Sequence, residues 1–239
     1  MPPLPAPLAA AFAEATSGGG KRERTQGQLL RAAVEVICER GFAGATMQLV
    51  AQKAHVTPAT LYNNFGTKEA LVLRLAAVLG HGFGRAINDS YAHITDGMER
   101  MAIGQRRYVR LAAESPAWAL LLIDVMGAAP QVMKELAEYP LYDLRAGVKQ
   151  KKFKVPSEAV ALDVIAGVCT SAMRRVALGE APPKHDVACA TVVLRALGVP
   201  PDVAEEVASR PLPPLEPAAP AQVAAKPAKK APPAKKAKR

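Results

Sequence analysis

The sequence predicts an all-α fold, in which a small N-terminal helix-turn-helix domain is followed by a larger helical domain. Half of the 239 residues are apolar but only 5% are aromatic, and the abundance of alanine and leucine favours helices over sheets. Apolar side chains recur at three- and four-residue spacing along most of the chain, and no alternating pattern typical of strands stands out. Serine, threonine or proline stands where several of these segments begin, as at the first turns of helices.

The first stretch of the chain precedes this pattern. Residues 1–20 are rich in alanine and proline and end in three glycines, which predicts a disordered arm. The glycine run is not a phosphate loop, since no strand precedes it and no Gly-Lys-Ser/Thr follows. The first helix is expected over about residues 25–40, with Leu30, Val34 and Ile37 in its apolar stripe. Gly41 allows that helix to end in a left-handed residue.

Residues 46–71, TMQLVAQKAHVTPATLYNNFGTKEAL, carry the most specific local pattern. Thr46 stands where it can cap a short helix whose apolar stripe includes Val50 and Ala51. Thr57 is the next cap, and Pro58 suits the first position of a second helix, where no N–H is needed. Two short helices joined by a tight turn make a helix-turn-helix, whose second helix enters the major groove of DNA.

The second of these helices leaves small and polar side chains on its outer face. Asn63 can pair with an adenine edge, and Thr60 can meet a polar base edge or a thymine methyl. Ala59 permits close approach, and the Tyr62 hydroxyl can reach the DNA backbone. Lys68 begins the next helix, where a phosphate is the natural partner for the cation and the free N–H groups. A solvated helix pair is the plainer interpretation. We predict DNA contacts from Thr46, Thr57, Ala59, Thr60, Tyr62, Asn63 and Lys68.

The run ERGFAGATMQLVAQKAHVTPATLYNNFGTKEAL resembles the N-terminal domain of the TetR family of bacterial transcription regulators, over about residues 25–75. Its most specific parts are the Gly41-Phe42 junction, the cap Thr46, the Val-Ala pair at 50–51 and the pattern LY…F…KEAL that ends at residue 71. One position departs from the family, which usually has glycine where this chain has His55. Because glycine tolerates a positive φ better than histidine does, the turn is expected to be slightly strained.

The resemblance implies a second domain that binds an effector and dimerises, over residues 81–209, reached by a fourth helix expected from 68 to about 79. It implies a homodimer on a palindromic operator, with half-sites about 34–36 Å apart or a multiple of that. The last two long helices of each subunit would form a four-helix bundle. Their apolar faces would be supplied by Ala159, Leu162, Ala166, Ala172 and Met173, and by Val187, Val193, Leu194 and Leu197.

Helical segments are expected at 97–114, 116–125, 130–152, 156–178, 183–197 and 202–209. Domains of this kind often hold a small-molecule pocket between helices. The alternative for every apolar candidate is ordinary core. Arg106, Arg107 and Arg110 suit either an acidic ligand or a solvated face. The candidates for lining an effector pocket are Met101, Tyr108, Trp118, Met126 and Met133.

Residues 210–239 form the last region, made almost entirely of proline, alanine and lysine. Residues 226–239 hold six lysines, one arginine and no acidic residue. This composition cannot bury enough apolar surface to fold, so a disordered tail is expected. It resembles the tails of histone-like proteins, which bind nucleic acid without sequence preference by releasing counterions. A tail that only solubilises the protein is the alternative.

Charge and motifs exclude several classes of protein. The net charge of +10 lies mostly on residues 21–80 and on the tail, which indicates a polyanionic partner for these two regions. Three cysteines without C-x-x-C spacing fit a reducing cytoplasm. The resemblances to the TetR family and to histone-like tails imply a bacterial cytoplasm, with the protein associated with the nucleoid. No signal peptide or membrane span is expected, hence no membrane partner. The scattered histidines and the lack of catalytic motifs predict no enzyme, no cofactor and no metal site.

Three functions fit these observations. The first is a transcriptional regulator that a small-molecule effector releases from its operator. The second is an architectural, nucleoid-like DNA-binding protein that relies on the basic tail. The third is a carrier or enzyme with a vestigial helix-turn-helix. Deletion of the tail separates the first two, because a regulator keeps its sequence preference and an architectural protein loses most of its binding.

Overall fold

The computed structural model describes residues 2–215, and within this range the chain forms helices and loops without strands. The all-α prediction is confirmed. The helices of the described part are α1 (Ala6–Thr16), α2 (Lys21–Gly44), α3 (Met47–Lys53), α4 (Pro58–Phe65), α5 (Lys68–Asp89), α6 (Gly97–Glu114), α7 (Pro116–Gly127), α8 (Pro130–Leu136), α9 (Glu138–Lys149), α10 (Glu158–Ala177), α11 (His185–Ala196) and α12 (Pro201–Ser209).

The N-terminal segment contains a docked helix, so the prediction of a disordered arm over residues 1–20 is wrong for α1. Leu8 and Phe12 on this helix are almost fully buried, and α1 packs against α2 and α5. The end of α1 lies so close to α2 that a side chain at Gly27 would meet the Thr16 carbonyl oxygen at 1.8 Å. The alanine-rich composition conceals an apolar face, and its burial against two longer helices stabilises α1.

Helices α3 and α4 form the predicted helix-turn-helix, and α2 packs against both of them. Helix α2 begins at Lys21, a few residues before the predicted start, and its helical backbone is interrupted at Gly41, which has a φ of 72°. Helices α3 and α4 begin at Met47 and Pro58, directly after the predicted caps. The turn between them includes His55 at a φ of 53°. This chain therefore adopts at His55 the left-handed conformation for which the family uses glycine.

Helix α5 continues ten residues past its expected end near residue 79. The glycines at 80, 82 and 84 remain helical and buried within it, so they do not interrupt the helix. It is long and apolar enough for a membrane span by composition, with a mean hydropathy of 1.4 over its best window, but 67% of that window is buried inside the protein. This places α5 among core helices of a globular protein.

The second half follows the predicted segments closely. Helix α6 has the predicted bounds, and α10 and α11 each begin two residues later than expected. The predicted segment 130–152 is two helices, α8 and α9, which meet at Ala137. The buried apolar residues fall into two clusters. One is formed mainly by α1 to α5 and α7, and the other mainly by α6 and α9 to α12.

Much of the expected dimer surface belongs to the subunit's own core. Helices α10 and α11 both pack on α6, and α11 also packs on α12. These contacts bury five side chains that were expected to face a partner, and for them the prediction is wrong. They are Ala172, Met173, Val193, Leu194 and Leu197.

The first residues of the predicted tail also pack on the protein. Arg210 Nη1 donates to Glu99 Oε2 at 2.8 Å, and Leu212 and Leu215 contact the larger apolar cluster. The expectation of disorder is therefore wrong for residues 210–215, because these leucines find apolar surface to cover. The basic part of the tail lies outside the described residues, which end at 215.

Candidate DNA interface and ligand cavity

Two threonines fix the starts of the helix-turn-helix helices. Thr46 Oγ1 accepts a hydrogen bond from the Leu49 N–H at 3.3 Å, and Thr57 Oγ1 accepts one from the Thr60 N–H at 3.2 Å. Each bond satisfies one of the N–H groups that a helix start leaves without a partner. Both threonines are exposed. Their structural role is thus clear, and their contact with DNA stays a prediction.

The outer face of α4 is open to solvent. Leu61 is fully buried, whereas Ala59, Tyr62 and Asn63 are exposed, with 46% of Tyr62 accessible. Thr60 is half-buried, and its hydroxyl lies 2.9 Å from the Thr57 hydroxyl. The side chain of Thr60 is therefore held within the helix start, which leaves Tyr62 and Asn63 as the freest polar groups for a DNA groove.

Lys68 lies beside the end of α2. Its ammonium donates to the Phe42 carbonyl oxygen at 3.4 Å and lies 5.4 Å from the centre of the Phe42 ring. Thr67 caps the same helix start by accepting from the Ala70 N–H at 3.1 Å. Because an ammonium has three donor hydrogens, Lys68 can hold Phe42 and still donate to a phosphate. The phosphate contact of Lys68 stays a prediction.

A cavity of about 400 Å³ lies in the second half of the protein, between α5, α6, α7, α8, α9 and α10. Four of the five side chains proposed from the sequence, Met101, Tyr108, Met126 and Met133, are in its wall. Most of the wall is apolar. The volume lies within the range of small-molecule sites.

Trp118 does not line this cavity, and its inclusion among the effector-pocket residues is corrected. The indole is fully buried. Its ring lies 5.4 Å from that of Phe12 and 6.0 Å from that of Phe83. Because Phe12 of α1 packs on Trp118, the indole ring belongs to the core that joins the N-terminal helix to the rest of the protein.

One end of the cavity carries a buried ion pair that sequence reasoning missed. Arg100 Nε donates to Asp143 Oδ1 at 2.5 Å, and Tyr91 Oη donates to Asp143 Oδ2 at 3.4 Å. Burial raises the pKa of the Asp143 carboxyl above its ordinary value, although the Arg100 charge opposes that shift. The two partners are 43 residues apart in the chain, so no local pattern could have joined them.

Gln105 is the other buried polar side chain of this wall, with 4% of its surface exposed. Its Nε2 donates to the Ile165 carbonyl oxygen at 2.8 Å. Its Oε1 has no hydrogen-bond partner among the described residues. The amide orientation is fixed by that first bond, since the reverse orientation would place two oxygens against each other. Gln105, a residue of the cavity wall, therefore carries a buried acceptor that the described residues leave without a partner.

The three arginines considered for an acidic ligand, Arg106, Arg107 and Arg110, are not part of the cavity wall. Arg106 Nε donates to Asp186 Oδ2 at 3.0 Å, and its Nη1 donates to the Arg210 carbonyl oxygen at 2.6 Å. Arg106 therefore ties α6 to α11 and to the end of α12.

A helix-turn-helix with an open outer face, joined to a helical domain with an apolar cavity, defines the class of regulators that combine a DNA-reading and a sensor domain. A family model described as bacterial regulatory proteins, tetR family, matches residues 29–75, and one described as the tetracyclin repressor-like C-terminal domain matches residues 96–210. The chain belongs to the TetR family of bacterial transcription regulators.

Individual relatives agree with this assignment. YvkB of Bacillus subtilis strain 168, an uncharacterised HTH-type transcriptional regulator, is 26% identical over 119 residues, which are 47% of this chain and 63% of YvkB. TcmR of Streptomyces glaucescens, also an HTH-type transcriptional regulator, is 23% identical over 120 residues, 48% of this chain and 53% of TcmR. The chain thus spans less than two thirds of the length of either relative. The crystal structure of RolR in complex with resorcinol superimposes on this chain with a TM-score of 0.69, over 82% of this chain and 98% of the RolR chain. The two sequences are 27% identical.

Proposed function

We propose that this protein is a sequence-specific transcriptional regulator, a repressor that a small-molecule effector releases from its operator in the bacterial cytoplasm. Residues 21–80 would bind DNA, and residues 81–209 would bind the effector and dimerise. The protein would act by binding alone, without catalysis. The course of α5 is the observation that carries this proposal.

Helix α5 takes part in both candidate sites. It begins at Lys68, shortly after the recognition helix α4 ends. Five residues in its second half or just after its end line the cavity. A ligand that prefers one position of α5 therefore also favours one position of the helix-turn-helix. Release of DNA would be a shift between two populations, driven by the difference in effector affinity for them. The cavity positions are Gly80, Phe83, Gly84, Ile87 and Tyr91.

A homodimer is the second part of this proposal. Three large apolar side chains on α10, directly after it and on α11 are about half exposed, namely Val160 (49%), Leu178 (54%) and Val192 (53%). Helices α10 and α11 pack on each other, and a partner subunit that covered both helices would bury these three side chains. A two-fold dimer would place two recognition helices on a palindromic operator.

Selection of bound fragments from random DNA tests the DNA-binding part of the proposal. Full-length protein and protein truncated after residue 215 are compared. We expect the same palindromic consensus from both, with lower and less salt-dependent affinity for the truncated protein. A truncated protein that selects no consensus would instead support the architectural alternative, in which the basic tail supplies most of the binding.

Release by an effector is tested on the selected operator. Since RolR was solved in complex with resorcinol, simple phenols are the first compounds to add. We expect at least one phenol to lower operator affinity at concentrations that saturate the cavity. If every compound that binds the cavity leaves operator affinity unchanged, the cavity does not control DNA binding.

A further inference from the structure

We propose that the cavity takes a compact, uncharged and mainly apolar molecule that carries an O–H or N–H donor, which an acceptor on Gln105 or Asp143 of its wall would bind. This inference names the ligand class of the proposed effector site, and it rests on the proposed function only in treating the cavity as a binding site. Size, charge and hydrogen-bonding capacity each support it.

Size restricts the ligand first. A volume of about 400 Å³ lies near the lower end of the range for sites that enclose drug-sized molecules. The wall contributes methionine, leucine and isoleucine side chains from five helices, among them Met101, Met126 and Leu122. Flexible methionines adapt to the shape of an apolar ligand. The body of the ligand is therefore small and apolar.

The charged side chains around the cavity indicate whether the ligand is an anion, a cation or neutral. No lysine, arginine or histidine is among the described residues that form the wall. Arg100 stands behind Asp143, and its guanidinium donates to Asp143, to Asn88 Oδ1 and to the Tyr91 and Ile94 carbonyl oxygens. It has little capacity left for a ligand. An anionic group in this apolar cavity would lose its hydration without gaining a cation, which is strongly unfavourable.

A cationic ligand gains little as well. The Asp143 carboxylate is already compensated by Arg100, with Oδ1 and Nε 2.5 Å apart. The other acidic side chain of the wall, Asp163, is exposed to solvent, where water screens its charge. Among the described residues, the cavity wall thus has no uncompensated buried charge of either sign, and a neutral ligand fits it best.

The hydrogen-bonding groups give the ligand its polarity. Gln105 Nε2 is held by the Ile165 carbonyl oxygen at 2.8 Å, and the Tyr91 hydroxyl is directed to Asp143. Within residues 2–215, Gln105 Oε1 has no partner, and Asp143 Oδ2 has only the long bond of 3.4 Å from Tyr91. The spare hydrogen-bonding capacity of these two side chains is therefore to accept. A buried acceptor without a partner is unfavourable, so a donor on the ligand should improve its binding.

Calorimetric titration of the full-length protein, without DNA, tests the ligand class with three probes of one shape. The probes are 2-naphthol, which has a donor, 2-methoxynaphthalene, which has only an acceptor, and 2-naphthoate, which is an anion. We expect 2-naphthol to bind roughly tenfold tighter than 2-methoxynaphthalene, and 2-naphthoate at least about a hundredfold more weakly than 2-naphthol. Equal affinities, tighter binding of 2-naphthoate or no binding of 2-naphthol would overturn the proposal.

Two variants test whether the donor of the ligand binds to Gln105. Gln105→Met removes the acceptor and keeps a side chain of similar length, so the preference for 2-naphthol over 2-methoxynaphthalene should fall to less than about threefold. Gln131→Met makes the same substitution at an exposed position of α8 outside the cavity wall and should leave that preference unchanged. An unchanged preference in Gln105→Met overturns the part assigned to Gln105. Because wild-type protein carries the first comparison, the ligand class is tested even if Gln105→Met fails to fold.

These titrations are separable from the proposed function. If 2-naphthol binds with the expected preference but does not weaken operator binding, the ligand class holds and control of DNA by the cavity is wrong. If phenols release the operator but the three probes bind alike, regulation holds and the assigned polarity is wrong.

Discussion

The rings of Phe12 and Trp118 meet edge to face, with their centres 5.4 Å apart and their planes at 72°. Trp118 Nε1 also donates to the Pro2 carbonyl oxygen at 3.0 Å. Trp118 lies on α7 and Phe12 lies on α1. Helix α1 precedes residue 29, where the match to the N-terminal family model begins. Helix α1 packs on α2 and α5 and contacts α7 through these two rings. It thus joins α2, beside the helix-turn-helix, to helices that line the cavity.

The first prediction concerns this helix. Phe12→Ala removes a ring that is 3% exposed and leaves a cavity against Trp118. We expect the free energy of unfolding to fall by about 3 kcal/mol, measured by guanidinium denaturation followed by circular dichroism. Ala10→Ser, at an exposed position of the same helix, serves as control and should change stability by less than about 0.5 kcal/mol. Equal stability of the two variants would show that α1 is not docked in solution.

The docking of α1 shows where sequence reasoning stops. Its prolines and alanines match the composition of disordered segments, and only the partner surfaces on α2, α5 and α7 make its apolar face stable. The helix-turn-helix was predictable to within a residue at Thr46 and Thr57, because caps and the proline of the first turn act locally. Local signals decided the starts of helices, and tertiary contacts decided which faces are buried.

The same limit explains the errors around the cavity. Large apolar side chains at helical spacing can line a pocket or fill a core. Only the fold shows that Met126 lines the cavity and that Trp118 is buried in the core. The Arg100–Asp143 pair and the acceptor of Gln105 depend on contacts between distant helices. The apolar residues of α11 were assigned to a partner because the packing of α11 on α6 and α12 is not encoded in its own periodicity.

The second prediction concerns thiol reactivity. Burial, and to a smaller extent Cys189, raises the pKa of Cys169 to about 12, from an ordinary value of 9.0. The thiolate fraction at pH 8 should thus be lower by about three orders of magnitude, and alkylation by iodoacetamide slower by a similar factor. Peptide mass spectrometry at successive times measures the rate. Protein unfolded in urea is the control, and a native rate equal to the unfolded rate would contradict the raised pKa of this thiol.

The raised pKa of Cys169 also has a consequence for stability. Below pH 9 the thiol is protonated in both the folded and the unfolded protein, so it contributes no pH dependence. Above pH 9 the unfolded chain releases the proton and the folded protein retains it, so stability falls as the pH rises from 9 toward 12. Denaturation of Cys169→Ala and wild type at successive pH values checks the sign. The wild type should lose more stability than the variant in this range.

The third prediction separates base reading from structure on α4. Asn63 is exposed, so Asn63→Ala should weaken operator binding by about 1–3 kcal/mol and relax the preference at one base position. The neighbouring Asn64 is a matched control, because its Nδ2 donates to the Thr60 carbonyl oxygen at 2.8 Å. Asn64→Ala should lower thermal stability and leave the base preference intact. Fragment selection with both variants measures this, and identical consensus sequences from Asn63→Ala and wild type would refute the assignment.

The fourth prediction concerns the phosphate contact. Lys68→Ala should weaken binding to all DNA sequences alike and reduce the slope of log affinity against log salt by about one unit. Because Lys68 also contacts Phe42, the variant should lose some stability, so binding is measured well below its melting temperature. Lys68→Arg keeps the charge and should restore most of the slope. An unchanged slope in Lys68→Ala would mean that Lys68 serves only to hold the end of α2.

The fifth prediction concerns the proposed dimer. Val192→Glu places a charge on an apolar side chain of α11 that is 53% exposed in the single subunit, so it costs little in a monomer and much in a buried interface. Light scattering after size exclusion should show the variant at the chain mass of 25.2 kDa and wild type at about twice that mass. Val148→Glu, at a position of α9 that is 45% exposed, is the control and should leave the dimer intact.

The monomeric variant should bind a single half-site and the full palindrome with similar affinity, because the two recognition helices are no longer linked. If Val148→Glu dissociates the protein and Val192→Glu does not, the subunits meet through α9 and not through α11.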